Sequence, residues 1–245
     1  FDSLNPFIIQ GNPAAGVGLI YDTLTTSSAD EPFTQYCLLC LTIEVPANRS
    51  WVEYELRDDA FWHDGMPVTP ADVIFSFNAL REKGAPFYRF YYRDVAKVEQ
   101  TGPRKVKFSF GKAQNPELAL ILGQLTVLPA HYWASRDISK PTLESPLGSG
   151  PYRIADVKTG RSISVERVPE YWGRNHPVRI GRNNIDTLRF EYFRDPGVSR
   201  IALISGDIDR ISENSSKAWA TEYTDTKPLR DKMLVQREFP HQRTA

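Results

Sequence analysis

The chain has 245 residues, with 30 Lys plus Arg against 30 Asp plus Glu, a formal net charge of zero, 41% hydrophobic residues and 18 prolines. That length supports a sizeable core and one or two domains, and the apolar content marks a folded, loop-rich chain rather than a disordered one. Balanced charge argues against a nucleic-acid partner, which needs a basic face to neutralise phosphates, and no run of about 18 apolar residues reads as a membrane-spanning helix. The chain begins at Phe1 with no signal peptide, as expected of a processed chain or a trimmed piece.

Phe1 to Leu24 opens on a Leu4-Asn5-Pro6 turn, and a Gly/Ala-rich loop from Gly11 to Gly18 then leads into an apolar run ending at Tyr21. Small residues let a second backbone or a ligand approach closely, or serve as a flexible connection. Cys37 and Cys40 form a C-x-x-C pair with no second pair and only four scattered histidines. A redox or zinc role therefore lacks partners, and two small apolar residues in a buried segment is the simpler reading.

Trp51 to Leu56 alternates, with Val52, Tyr54 and Leu56 on one side, and predicts a half-buried strand. His63-Asp64-Gly65 then reads as a tight turn. Thr69 supplies a helix cap, Pro70 the first helical position and Asp72 a negative charge at the positive end of the helix dipole. Val73, Phe77 and Leu80, with Ile74 beside them, make an apolar face, and Lys83-Gly84 closes the helix. The aromatic run at 87–92 either grips a ligand or packs the edge of this segment.

Strands are expected at Val95–Glu99 and Lys105–Phe110. A helix is expected from Asn115-Pro116 to Leu125, burying Leu118, Ile121, Leu122 and Leu125. Gly148, Gly150 and Pro151 crowd a turn that lacks the spacing and following helix of a phosphate loop. Strands at 162–168 and 187–193, a helix capped by Asp195 and stopped by Gly206, and a returning strand at 208–211 read as a βαβ-like block. Such a block suits an open mixed sheet with helices on its faces, whose ligand sites lie in loops beyond the strand ends. Glu213, Asn214, Lys217 and Trp219 are ligand candidates on that ground; the alternative is a solvated helix start capped by Ser215.

Catalysis requires a nucleophile, a base and a stabiliser of developing charge. His63 and Asp64 are adjacent and point apart, no G-x-S-x-G elbow is present, and no His/carboxylate spacing suggests a metal. The sequence therefore reads as a non-enzyme with no cofactor and no metal.

The run from Leu56 to Leu80 also carries Trp62, His63, Asp64, Gly65, Pro67, Val68, Thr69, Asp72, Val73, Phe75 and Ser76 in the places of a family pattern. In this it resembles the bacterial extracellular solute-binding proteins of family 5, the peptide, dipeptide and nickel binding components of ABC importers. The segments YFRD at 192–195, ENSSKAWA at 213–220 and FPH at 239–241 resemble the branch serving the importer of microcin C and related peptides.

The resemblance implies an α/β fold, a lobe of the type II periplasmic binding proteins with a mixed sheet flanked by helices. Residues 1–24 with 146–245 would form the first part of lobe I and 25–145 an inserted α+β subdomain, with the second lobe absent from this chain. It implies that Trp62, His63, Asp64, Gly65, Thr69 and Asp72 are structural. It further implies a strand at Tyr21–Leu24, that Asn12, Pro13 and Ala14 lie near the ligand cleft, and that Ser149 sits where the chain crosses back from the inserted subdomain. The expected protein is a periplasmic monomer that closes two lobes on a peptide or peptide-like ligand and docks on an ABC permease in the inner membrane. In that compartment Cys37 and Cys40 could also close a strained local disulfide. The readings set against it are a secreted hydrolase or sugar-processing module on a similar sheet, and an interaction domain with exposed aromatics.

Overall fold

The computed structural model describes residues 1–28, 31, 34–111 and 115–223. They fall into two compact units, Phe1–Glu191 and the residues from Tyr192 onward. Among the described residues no helix is long and apolar enough to cross a membrane.

Among the described residues the first unit holds nine strands: β1 (Thr25–Ser27), β2 (Gln35–Cys37), β3 (Cys40–Glu44), β4 (Trp51–Leu56), β5 (Val95–Gly102), β6 (Lys105–Phe110), β7 (Tyr152–Lys158), β8 (Ser162–Arg167) and β9 (Thr187–Glu191). They form a β1-β2 hairpin, a four-stranded sheet in the order β3-β4-β6-β5 and a three-stranded sheet β7-β8-β9. Neighbouring strands run antiparallel throughout, and an isolated parallel bridge joins Ser3 to Pro13.

The four-stranded sheet follows the periodicity of its sequence. Val52, Tyr54 and Leu56 of β4 are buried, as are Val106 and Phe108 of β6, and the register sets Val52 opposite Phe108 and Tyr54 opposite Val106. Helix α1 (Pro70–Lys83) lies over this face with Val73, Phe77 and Leu80 fully buried. Phe77 meets Phe108 edge-on, with ring centroids 5.3 Å apart, a favoured geometry for aromatic pairs.

The start of α1 is a reciprocal capping box of Thr69 and Asp72. One Asp72 oxygen accepts from the Thr69 N–H and hydroxyl, both at 2.8 Å, while the other accepts from the Ala130 N–H at 2.8 Å. A single carboxylate thus caps α1 and ties it to helix α4 (Ala130–Trp133).

The aromatic run divides. It forms helix α2 (Pro86–Tyr91), followed by Tyr92, which is buried against Phe77 at 5.2 Å, while Phe87, Phe90 and Tyr91 stay exposed.

Four local expectations are corrected. Cys37 and Cys40 are disulfide-bonded rather than two free apolar residues. Leu38 and Leu39 are buried between them, and the turn this imposes brings the two Cα atoms to 4.9 Å, within disulfide reach. The helix expected from Asn115-Pro116 is shorter: Asn115 accepts from the Glu117 N–H at 3.0 Å, and α3 runs only over Leu118–Gly123. Tyr21–Leu24 is not a regular strand; Val17–Ile20 before it is a 3-10 turn, and Thr23 makes only an isolated bridge to Thr126.

The fourth correction lies in the second unit. Helices α5 (Pro196–Ser205) and α6 (Ser216–Glu222) form there, and residues 208–211 between them have no regular structure, so the βαβ-like block is not completed. Two apolar residues flanking Asp209 and Arg210 are too few to build a strand face. Asp195 caps α5 by accepting from the Gly197 N–H at 2.6 Å. Of the apolar residues of α5, Val198 and Ile201 are exposed and Ala202 is buried.

Candidate functional site

A buried polar cluster in the first unit is built from four distant segments. Gly148 and Gly150 allow its assembly. The Gly150 N–H donates to the Ile20 carbonyl at 2.8 Å, and a Cβ on Gly148 would lie 1.9 Å from that same oxygen. Only glycine permits this approach, and it sets Ser149 beside Asp22.

Asp22 is fully buried. Its Oδ1 accepts from the Tyr171 hydroxyl at 3.0 Å and from Arg179 Nη2 at 2.8 Å, and its Oδ2 faces the Ser149 hydroxyl at 3.4 Å. Trp172 Nε1 donates to the Ser149 carbonyl at 3.0 Å. Burial pushes the Asp22 carboxyl up to about 6, against the opposing pull of Arg179 and the hydrogen bonds. Removing a charge from water outweighs the nearby cation.

The His63-Asp64-Gly65 turn docks on the same loop. The His63 N–H donates to the Gly148 carbonyl at 2.9 Å, and Nε2–H donates to the Gly150 carbonyl at 2.8 Å. Burial holds the His63 imidazole below its usual value, favouring a neutral ring with its proton on Nε2. Asp64 accepts from His131 Nε2 at 2.9 Å, and Trp62 is buried with its ring 6.4 Å from that of His131.

Asn12 and Pro13 are exposed within a loop that also exposes Ile9, whereas Ala14 is buried. The loop is pinned to the N-terminus. The Asp2 and Ser3 N–H groups donate to the Asn12 carbonyl, the Asn12 N–H donates to Asp2 at 2.6 Å, and the Ala14 N–H donates to the Ser3 carbonyl at 2.8 Å. Ser149 is fully buried, its hydroxyl turned to Asp22.

The remaining candidates belong to the second unit. Glu213 accepts from the Ser215 N–H and the Tyr223 hydroxyl and pairs with Arg200 at 3.6 Å. The hydrogen bond from Ser215 heads the causes that hold its carboxyl below the usual range. Asn214 and Lys217 are exposed, and the Trp219 ring packs 5.7 Å from that of Tyr223. Ser215 caps α6 by accepting from the Ala218 N–H at 3.2 Å. The FPH segment at 239–241 lies outside the described residues.

Among the described residues no group of three or more His, Cys, Asp or Glu could hold a metal. The cluster ties the N-terminal segment to residues 148–179 through the Ser149, Tyr171 and Arg179 contacts to Asp22. Neither Asp22 nor Arg179 was among the candidates read from the sequence, whereas Ser76 of the family pattern has a hydroxyl that accepts from the Leu128 N–H at 2.7 Å. For Asp22 a signal exists: an aspartate directly after the apolar run that ends at Tyr21.

Comparison with known proteins places this geometry in a family. The chain is 42% identical over 248 residues to the uncharacterised protein y4wM of Sinorhizobium fredii, covering 98% of this chain and 37% of that one. It is 40% identical to the probable peptide-binding protein YejA of Agrobacterium fabrum, covering 98% of this chain and 40% of the relative. The chain therefore spans about two fifths of the length of these relatives. In fold it matches the crystal structure of NikZ from Campylobacter jejuni in complex with Ni(L-His), with a TM-score of 0.70 at 22% identity, over 85% of this chain and 40% of that one. The family model for bacterial extracellular solute-binding proteins, family 5 Middle, matches residues 31–242, and the chain belongs to that family.

Proposed function

We propose that this chain is part of the substrate-binding component of an ABC importer, which captures peptides or peptide-like compounds and delivers them to an inner-membrane permease. The observation that carries this reading is membership of the solute-binding family over residues 31–242, together with 40% identity to a relative named as a probable peptide-binding protein. The reading locates the protein in the periplasm, as a monomer, and requires no covalent chemistry.

Residues 1–24 with 146–245 belong in this reading to lobe I, and 25–145 to a subdomain inserted in it. The ligand lies between lobe I and a second lobe and contacts the loop at Asn12, Pro13 and Ala14, with Glu213, Asn214, Lys217 and Trp219 supplying further polar and aromatic groups. Ser149 acts from beneath, holding Asp22 and Trp172 in place. Closure is driven by contacts that exist only in the closed state, so this lobe segment by itself is expected to bind peptide more weakly than about micromolar.

Native mass spectrometry of the protein purified without refolding from its host tests the reading. An excess mass that dissociates as peptides supports it. A protein that carries no excess mass and shows no binding across a mixed peptide library overturns it.

A further inference from the structure

A pocket of about 330 Å³ opens in the first unit beside the end of β8, and four arginines line it: Arg167, Arg174, Arg179 and Arg182, joined by Asn183 and Asn184. Among the described residues no carboxylate belongs to its lining. Two of the four charges are matched from outside, Arg179 by Asp22 at 2.8 Å and Arg167 by Asp186. Arg174 donates only to the Pro169 carbonyl, at 3.1 Å, and among the described residues neither Arg174 nor Arg182 has a carboxylate partner. The Nε–H of Arg179 is buried and has no acceptor among the described residues. Two guanidinium groups without a carboxylate partner therefore line one concavity, together with Arg179, whose Nε–H is orphaned.

We infer that this pocket is a binding site for a compact phosphate monoester. Guanidinium groups around a common space repel one another, and a multiply charged anion relieves that repulsion while using donors that otherwise face water. Planar forks of N–H groups match the oxygens of an oxyanion. A phosphate monoester carries close to two negative charges near neutral pH and three terminal oxygens, which equals the unmatched charge here; a single carboxylate supplies half of it. The volume sits at the lower end of the roughly 300–1,000 Å³ of small-molecule sites, room for an organic moiety on the phosphate. Asn184 donates one amide N–H to the Gly181 carbonyl at 2.8 Å, which leaves its second amide N–H for the ligand. The site goes beyond the importer reading, because the pocket lies wholly within the first unit and needs no second lobe to form.

Isothermal titration of the purified protein with glycerol 3-phosphate tests the inference, with inorganic phosphate as the second probe. Binding is expected for both, tighter for the monoester, and weakening as salt is raised from about 50 to about 300 mM. Arg174→Gln and Arg182→Gln each remove an exposed side chain with no carboxylate partner among the described residues, and each is expected to weaken binding about tenfold. Arg161→Gln, which removes the same charge from the β7–β8 turn outside the pocket, leaves it unchanged. Absence of binding at about 10 mM monoester, or equal affinity in the two pocket variants and the wild type, overturns the site. Neither result bears on peptide capture, which the mass measurement decides separately.

Discussion

The face where β4 and β6 meet α1 and the cluster around Asp22 are both closed to water, yet they are assembled in opposite ways. Along β4 and β6 every second residue is apolar, α1 repeats its apolar residues at helical spacing, and the buried surface follows from those periods. Around Asp22, residues 22, 149, 171 and 179 come from segments with no shared period and meet through a carboxylate, two hydroxyls and a guanidinium. The first region is held by apolar area, which is non-directional and tolerant. The second is held by directional bonds around a charge that burial disfavours. One region should therefore respond to volume and the other to pH.

The largest effect is expected in the apolar region. Phe108 is fully buried, with ring centroids 5.3 Å from Phe77 and 6.0 Å from Tyr54. Phe108→Ala should cost about 4 kcal/mol, the transfer term plus the cavity left behind, and the loss should be the same at pH 5 and pH 8. A chemical denaturation series at the two pH values measures both. A pH-dependent loss would mean the two regions are coupled rather than separate.

Asp22→Asn should show the opposite dependence. The folded carboxyl titrates at about 6 against an ordinary value of 3.8, so the folded state binds the proton more tightly than the unfolded state. The stability Asp22 contributes is then fully present below about pH 4 and is lost as the pH rises through about 6. Asparagine imitates the protonated form at every pH. Relative to wild type, the variant should gain about 3 kcal/mol between about pH 4 and pH 8. His63, whose value is depressed, works in the other sense in both proteins: its contribution is present above its usual 6.5 and fades as the pH falls through its lower folded value. It therefore cancels in the comparison. A wild type that gains on Asp22→Asn with rising pH would show that the Arg179 charge overrides burial.

This contrast explains what could be read from the sequence. The strands at 51–56 and 105–110, the capped helix at 70–83 and the caps at Asp195 and Ser215 carry their causes within a few residues, and each forms where its pattern places it. The Asp22 cluster and the Asp72 bond to Ala130 depend on residues 58 to 157 positions apart, a separation that no local period encodes. The Cys37–Cys40 bond fell between these cases. Its spacing was visible, but the turn that closes it depends on burying Leu38 and Leu39. Of the candidate ligand residues, Asn12 and Pro13 are exposed and Ser149 is not, because the loop carrying Ser149 is drawn inward by the Ile20 carbonyl, a partner 130 residues away that its own sequence does not announce.

The smallest effect is expected at Gly65, where the two regions touch through the His63 bonds to Gly148 and Gly150. Gly65 has φ +86, and a Cβ added there would meet nothing within 4 Å. Any cost of substitution therefore comes from the backbone and not from crowding. Gly65→Ala should lose about 1 kcal/mol. Gly65→Asn should lose less, since asparagine tolerates the left-handed region, and Gly65→Val more, since a β-branched residue resists it. Thermal melts of the three variants give the ranking. If alanine costs as much as Phe108→Ala, the turn is passing its strain through His63 into the loop that holds Asp22, and the apolar and polar regions unfold as one. A loss near 1 kcal/mol, ordered Asn, Ala, Val, means the turn absorbs the strain itself and serves only to hold His63 at the two carbonyls.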